Sequence, residues 1–106
     1  MSREEPSDVD PVTAAGIRYE AVHWGKAIDL DQNGGYVRAV DARTEQELWT
    51  QKVYDIDYTR DMEPDRLDVF ITRLALSDDA RTLTIDDENG RTWVLDLATR
   101  AVRPGA

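Results

Sequence analysis

From residue 17 onward, apolar and polar side chains alternate in short runs separated by turn-forming residues, and no stretch holds the spacing of a long amphipathic helix. Tyr19, Ala21 and His23 alternate with Arg18, Glu20, Val22 and Trp24, which predicts a strand that Gly25 breaks. Ala27, Ile28 and Leu30 form a brief apolar stretch before Asp31-Gln32-Asn33-Gly34-Gly35, and residues 36–40 read as the return strand. Asn-Gly between two such runs predicts a hairpin, because both residues tolerate positive φ. A polar turn over 41–46 leads into a β-rich run over 47–58 that contains Leu48, Trp49, Val53, Tyr54, Ile56 and Tyr58.

Residues 60–65 are polar, contain Pro64, and form the candidate mobile loop. Residues 67–76 read as a strand from their β-branched content, with a short helix as the alternative. A turn at 77–80 follows. Leu83 and Ile85 then alternate with Thr82, Thr84 and Asp86, and Asp87-Glu88-Asn89-Gly90 is a second Asn-Gly hairpin. Trp93, Leu95 and Leu97 fall on one face of the next strand, with Thr92, Val94 and Asp96 on the other; a short strand at 101–103 completes the chain. The predicted fold is all-β, an antiparallel meander of about seven to eight strands curled into one sheet or a small sandwich or barrel. Residues 1–16, rich in acids and proline, read as a flexible acidic tail, and 17–104 as a single β domain.

The two hairpins repeat each other. Gly35, Ala39, Val40, Asp41 and Thr44 line up at one constant offset with Gly90, Val94, Leu95, Asp96 and Thr99. In each copy an Asp-x-x-Thr turn joins two strands, and its Asp and Thr can bond backbone groups within the turn. Ala39, Asp41, Thr44 and Trp49 of the first copy match Ala-x-Asp-x-x-Thr-Gly-x-x-x-Trp, so this stretch resembles the repeat of quinoprotein-like (PQQ-type) β-propellers. Glu45 stands where that repeat has Gly, and the second copy, near 90–102, has no equivalent Trp. The resemblance implies four-stranded, blade-like units with Trp49 docked between neighbours. It does not bring a quinone, since a closed propeller needs at least about four blades and this chain has room for two.

Composition narrows the function classes. A net charge of −9 without a Lys/Arg block disfavours nucleic acid and anionic membrane surfaces and suits a basic partner. No apolar run is long enough to cross a membrane as a helix. The opening Met-Ser-Arg-Glu-Glu-Pro lacks the apolar core of a secretory signal, and cysteine is absent, so a cytoplasmic location is expected.

Candidate chemistry is sparse. Asp29-Leu30-Asp31-Gln32-Asn33-Gly34 has the opening pattern of a calcium loop, with Asp29, Asp31 and Asn33 as candidate ligands; the acidic residue required at its twelfth position is replaced by Val40. His23, the only histidine, reads as structural. Asp55 and Asp57 share a strand face, Asp61, Glu63 and Asp65 form an acidic loop, and 86–89 an acidic turn without ligand spacing. Of the aromatic residues most read as core, with Tyr36, beside two glycines, as the exposed candidate for partner binding. The expectation is a non-enzymatic interaction domain, without a cofactor, that meets a protein partner or a second copy of itself. A small ligand- or calcium-binding domain using the turn at 29–34 is the alternative.

Overall fold

The computed structural model describes residues 9–56 and 68–105. The chain is all-β: β1 (Val12–Ala14), β2 (Ile17–Val22), β3 (Tyr36–Asp41) and β4 (Glu47–Lys52) form one sheet, and β5 (Ile71–Leu76), β6 (Thr82–Asp87), β7 (Thr92–Asp96) and β8 (Val102–Pro104) a second. Both are antiparallel and ordered as in the sequence, and neither closes into a barrel. Such a meander needs only short links, which the turn residues supply.

The first sheet begins earlier than the alternation predicts. Val12–Ala14 pairs with β2 inside the segment read as tail, through a two-residue turn in which Ala15 and Gly16 have φ of 52° and 80°. This is the type I′ geometry that suits strand twist. Val9 and Val12 pack on the core, which is why so polar a stretch stays attached. Residues 1–8 of the expected tail, like Asp57, Tyr58, Leu67 and the loop at 60–65, lie outside the described residues.

The repeat is visible atom by atom. Asp41 Oδ1 accepts the N–H groups of Arg43 and Thr44 at 2.9 and 3.2 Å, and Asp96 Oδ1 those of Ala98 and Thr99 at 2.9 and 3.0 Å. Thr44 and Thr99 hydroxyls accept from Gln46 and Ala101. Glu45 and Arg100 both adopt φ of 64° and donate to the Asp41 and Asp96 carbonyls at 2.7 Å. Even the tie to the preceding turn recurs, from Ala42 N–H to the Gly16 carbonyl and from Leu97 N–H to that of Arg81. Glu45 therefore keeps the left-handed turn despite carrying a side chain.

The two Asn-Gly sites differ. Asn89-Gly90 closes a tight β6–β7 hairpin with Gly90 at φ 80°, stabilised by Asp87 Oδ1, which accepts from Asn89 and Arg91. Asn33-Gly34 does not make a tight turn. Residues 23–35 form a long connection with a 3₁₀ turn at Gly25–Ile28, and positive φ falls on Asp29 and Gly35. Gly34 is needed for proximity: a Cβ there would collide with the Val69 carbonyl.

Tyr19, Val37 and Ala39 from the first sheet meet Ile71, Leu74, Leu83, Ile85 and Leu95 from the second in one core, with Val53 and Tyr54 at its margin. Trp49 packs on Tyr19 at 6.0 Å and is covered by the Arg100 guanidinium at 5.8 Å, so a turn of one sheet closes over an aromatic ring of the other. Tyr54 stacks on Trp93 at 5.6 Å, a second bond between the sheets. On the faces turned away from the core, Arg18, Glu20 and Arg38 of the first sheet stand among buried Val22, Tyr36 and Val40, and the second sheet carries Thr82, Thr84, Asp86 and Thr92.

Ala80, on the β5–β6 turn, has φ of 58° where Gly90 serves the other hairpin. Ala80→Gly is expected to stabilise the fold by about 0.5–1 kcal/mol, the relief of left-handed strain less the added chain entropy of glycine. A raised midpoint in urea denaturation at unchanged slope checks this.

Candidate interaction surface

The long connection between β2 and β3 is where most of the candidate residues sit, and a buried side chain shapes it. Gln32, 2 % exposed, donates through Nε2 to the carbonyls of Gly34 and Tyr54, both at 2.8 Å, and its Oε1 accepts the Ile56 N–H at 2.9 Å. One carboxamide thus ties the loop to the segment leaving β4. Asn33 adds two links: its Oδ1 accepts the Lys26 N–H, and its Nδ2 donates to Asp68 at 3.1 Å.

The three residues of the calcium pattern are bonded separately. Asp29 ends the 3₁₀ turn with φ of 68°, and its N–H bonds back to Lys26. Asp31 holds the Lys52 ammonium at 2.7 Å and accepts the Tyr36 hydroxyl. Asn33 is spent on the loop. Among the described residues no three His, Cys, Asp or Glu side chains gather as a metal-binding group. In the described structure Asp31 is held by Lys52 and Tyr36, and Asn33 by Lys26 and Asp68.

Tyr36 is not the exposed anchor the sequence predicts. It is 5 % exposed, because it lies on central strand β3 between Val22 and Lys52. Burial, then the Asp31 carboxylate, pushes its hydroxyl pKa up. Among the described residues, the exposed large apolar side chains are Trp24, Ile28 and Leu48, each about half exposed at 50, 51 and 47 %. Trp24 lies past the end of β2, with one ring edge on Phe70 at 5.5 Å. Its signal was the adjacent Gly25, which ends the strand before the alternation does. Leu48 is thrown outward by a bulge opposite Ala39 and Val40, for which the sequence carries no local mark. His23 packs edge-on to Phe70 at 5.5 Å, a structural placement.

The charged groups form local networks. Glu20 bridges Arg18 and Arg38, and Arg18 reaches Glu45 with two bonds of 2.7 and 2.8 Å. Burial works to raise the Glu20 pKa, but the two guanidinium partners outweigh it and hold it below the usual value. Arg18 lowers Glu45, and Lys52 followed by Tyr36 lowers Asp31. Asp31 and then Asp55 raise Lys52. Asp87 is 4 % exposed and fully engaged, its second oxygen accepting the Trp93 indole N–H at 3.1 Å. A depression of about 260 Å³ at the end of the second sheet is lined by Gly90, Arg91, Thr92, Trp93, Pro104 and Gly105 and brings together no acid–base pair. No family model matches this chain, and no curated protein matches it. Among the described residues no helix is long and apolar enough to cross a membrane.

Gln32→Leu keeps the volume but strands two carbonyls and an N–H; it is expected to cost about 2–4 kcal/mol in chemical denaturation. A loss under about 0.5 kcal/mol would remove Gln32 from its role as the tie.

The pKa directions fix a pH profile. Glu20, Asp31 and Glu45 have lowered folded values, so their stabilisation is complete above the unfolded carboxylate range and is lost as pH falls through the folded values. Lys52 is raised, so its share is complete below the ordinary 10.5 and is lost as pH rises through its higher folded value. The urea midpoint is expected to be flat between about pH 6 and pH 9 and to decline on the acid side. A midpoint that climbs as pH falls below about 5 would contradict these pairings.

Proposed function

We propose that this chain is a non-enzymatic protein-interaction domain that presents an acidic surface to a protein partner. One observation carries the reading. The carboxylates and amides that would be needed for chemistry are engaged in holding turns and loops, while Trp24, Ile28 and Leu48 stand half exposed on a chain of net charge −9. Trp24 lies beyond the Val22 end of the first sheet and Leu48 beside Glu47 at the other, and large apolar side chains left in water suit protein surfaces that bury them. The same charge speaks against nucleic acid as the partner. The absence of cysteine fits a reducing compartment, and cytoplasmic action is part of the proposal.

The two sheets are proposed to be blade-like units akin to the quinoprotein-type repeat. Support comes from the duplicated Asp-x-x-Thr turns and from Trp49, which lies between Tyr19 of its own sheet and Arg100 of the other. The kinship concerns the scaffold and brings no quinone.

Affinity capture from the source cells is expected to retain one protein in stoichiometric amount, released as salt is raised. A chain that stays monomeric in light scattering and retains none would oppose the reading. In a calcium titration the melting temperature is expected to stay constant; a rise that saturates with calcium would favour the turn at 29–34 instead.

A further inference from the structure

The fold treats the two Asn-Gly pairs, Asn33-Gly34 and Asn89-Gly90, in opposite ways. In such a pair the glycine nitrogen can reach the asparagine side-chain carbonyl, because no Cβ crowds the approach. Asn33 is half-buried, and both ends of its carboxamide are engaged: Oδ1 accepts the Lys26 N–H at 3.2 Å, and Nδ2 donates to Asp68 at 3.1 Å. Its own carbonyl accepts the Gly25 N–H at 2.9 Å. Gly34 is buried, its carbonyl accepts from Gln32, and its α-carbon lies against the Val69 carbonyl. The peptide between Asn33 and Gly34 is packed on every side and has no room to turn.

Asn89-Gly90 stands at the tip of the β6–β7 hairpin. Both residues are exposed, no group among the described residues bonds the Asn89 carboxamide, and the space around the Gly90 α-carbon is open. The Gly90 N–H donates to the Asp87 carbonyl at 3.1 Å, a bond that closes only the turn. Hairpin tips open locally without unfolding the sheet behind them. We propose that Asn89 is a site of self-modification, converted through attack by the Gly90 nitrogen to aspartate and isoaspartate, while Asn33 is spared. The Gly90 nitrogen bonds to Asn89 Cγ as the Cγ–Nδ2 bond breaks, and ammonia leaves with the proton that the nitrogen gives up. Water then opens the cyclic imide at either carbonyl, so one product is aspartate and the other an isoaspartate whose main chain runs through Cγ. The step needs only water. It places a new carboxylate directly after Asp86, Asp87 and Glu88. The isoaspartyl form also adds a carbon to a turn in which Asp87 Oδ1 holds the N–H groups of Asn89 and Arg91 at 2.8 and 3.1 Å, and so loosens that grip.

The test ages the full native chain in warm neutral buffer and digests samples with trypsin. Cleavage after Lys26, Arg38, Arg81 and Arg91 isolates the two sites in peptides 27–38 and 82–91. Mass spectrometry is expected to find the amide-to-acid mass gain in 82–91 at least about tenfold faster than in 27–38, a difference of about 1.4 kcal/mol in barrier. The product should separate by chromatography into two forms, one of them co-eluting with the peptide from Asn89→Asp. In urea beyond the unfolding midpoint the two rates should converge. Aged chain rich in isoaspartate should melt below Asn89→Asp, whose main chain is unaltered. No gain in 82–91, or a faster gain in 27–38, would overturn the proposal. A difference that persists undiminished in urea would assign it to local sequence and overturn the role given to the fold, and equal melting would overturn the loosened turn.

Discussion

Val37 and Ala39 of one sheet press against Leu83, Ile85 and Leu95 of the other, and all five are fully buried. Each sheet buries this apolar face against the other, so each depends on the other for its dry side. The remaining features serve that contact. Arg100 reaches over Trp49 and Tyr54 stacks on Trp93, both across the seam. Gln32 then anchors the longest described connection to the end of β4, where the chain leaves the first sheet.

The same frame is used twice with different finishing. The Asp41 and Asp96 turns share their main-chain, Asp and Thr hydrogen bonds, down to the left-handed residue that follows the Thr. The copies diverge outside the turn. The β2–β3 connection has grown to residues 23–35, while the β6–β7 connection is the tight 88–91. β4 is long and β8 is cut short by proline. Divergence is concentrated where the backbone is free of the shared core, which is where loops and edges can change at little cost in packing.

The strand pattern was legible because period-2 alternation records which side of each strand meets the core; Leu83, Ile85, Trp93 and Leu95 follow it without exception. The Asp-x-x-Thr turns were legible because their bonds are local. β1 was missed because three residues carry too little alternation to stand out beside acids and Pro11. The surface is less legible than the core. Tyr36 was expected outside because glycines precede it, yet what buries it is the pairing of β3 with both neighbours, a non-local fact. The acidic turn at 29–34 has the spacing of metal ligands, but ligand geometry depends on where Lys52 and Asp68 arrive, and no local window contains them.

The outward side of the first sheet carries the ladder of Arg18, Glu20, Arg38 and Glu45. Stacking a further sheet on that side would strip water from four charges at once, with a penalty of several kcal/mol for each ion that its partner only partly returns. The outward side of the second sheet, with its threonines and Asp86, offers a newcomer little apolar area in exchange. Growth by addition of layers is thereby self-limiting, as in repeat arrays that end in polar caps. Among the described residues, the charges of the first sheet and the threonines of the second finish the two outward sides.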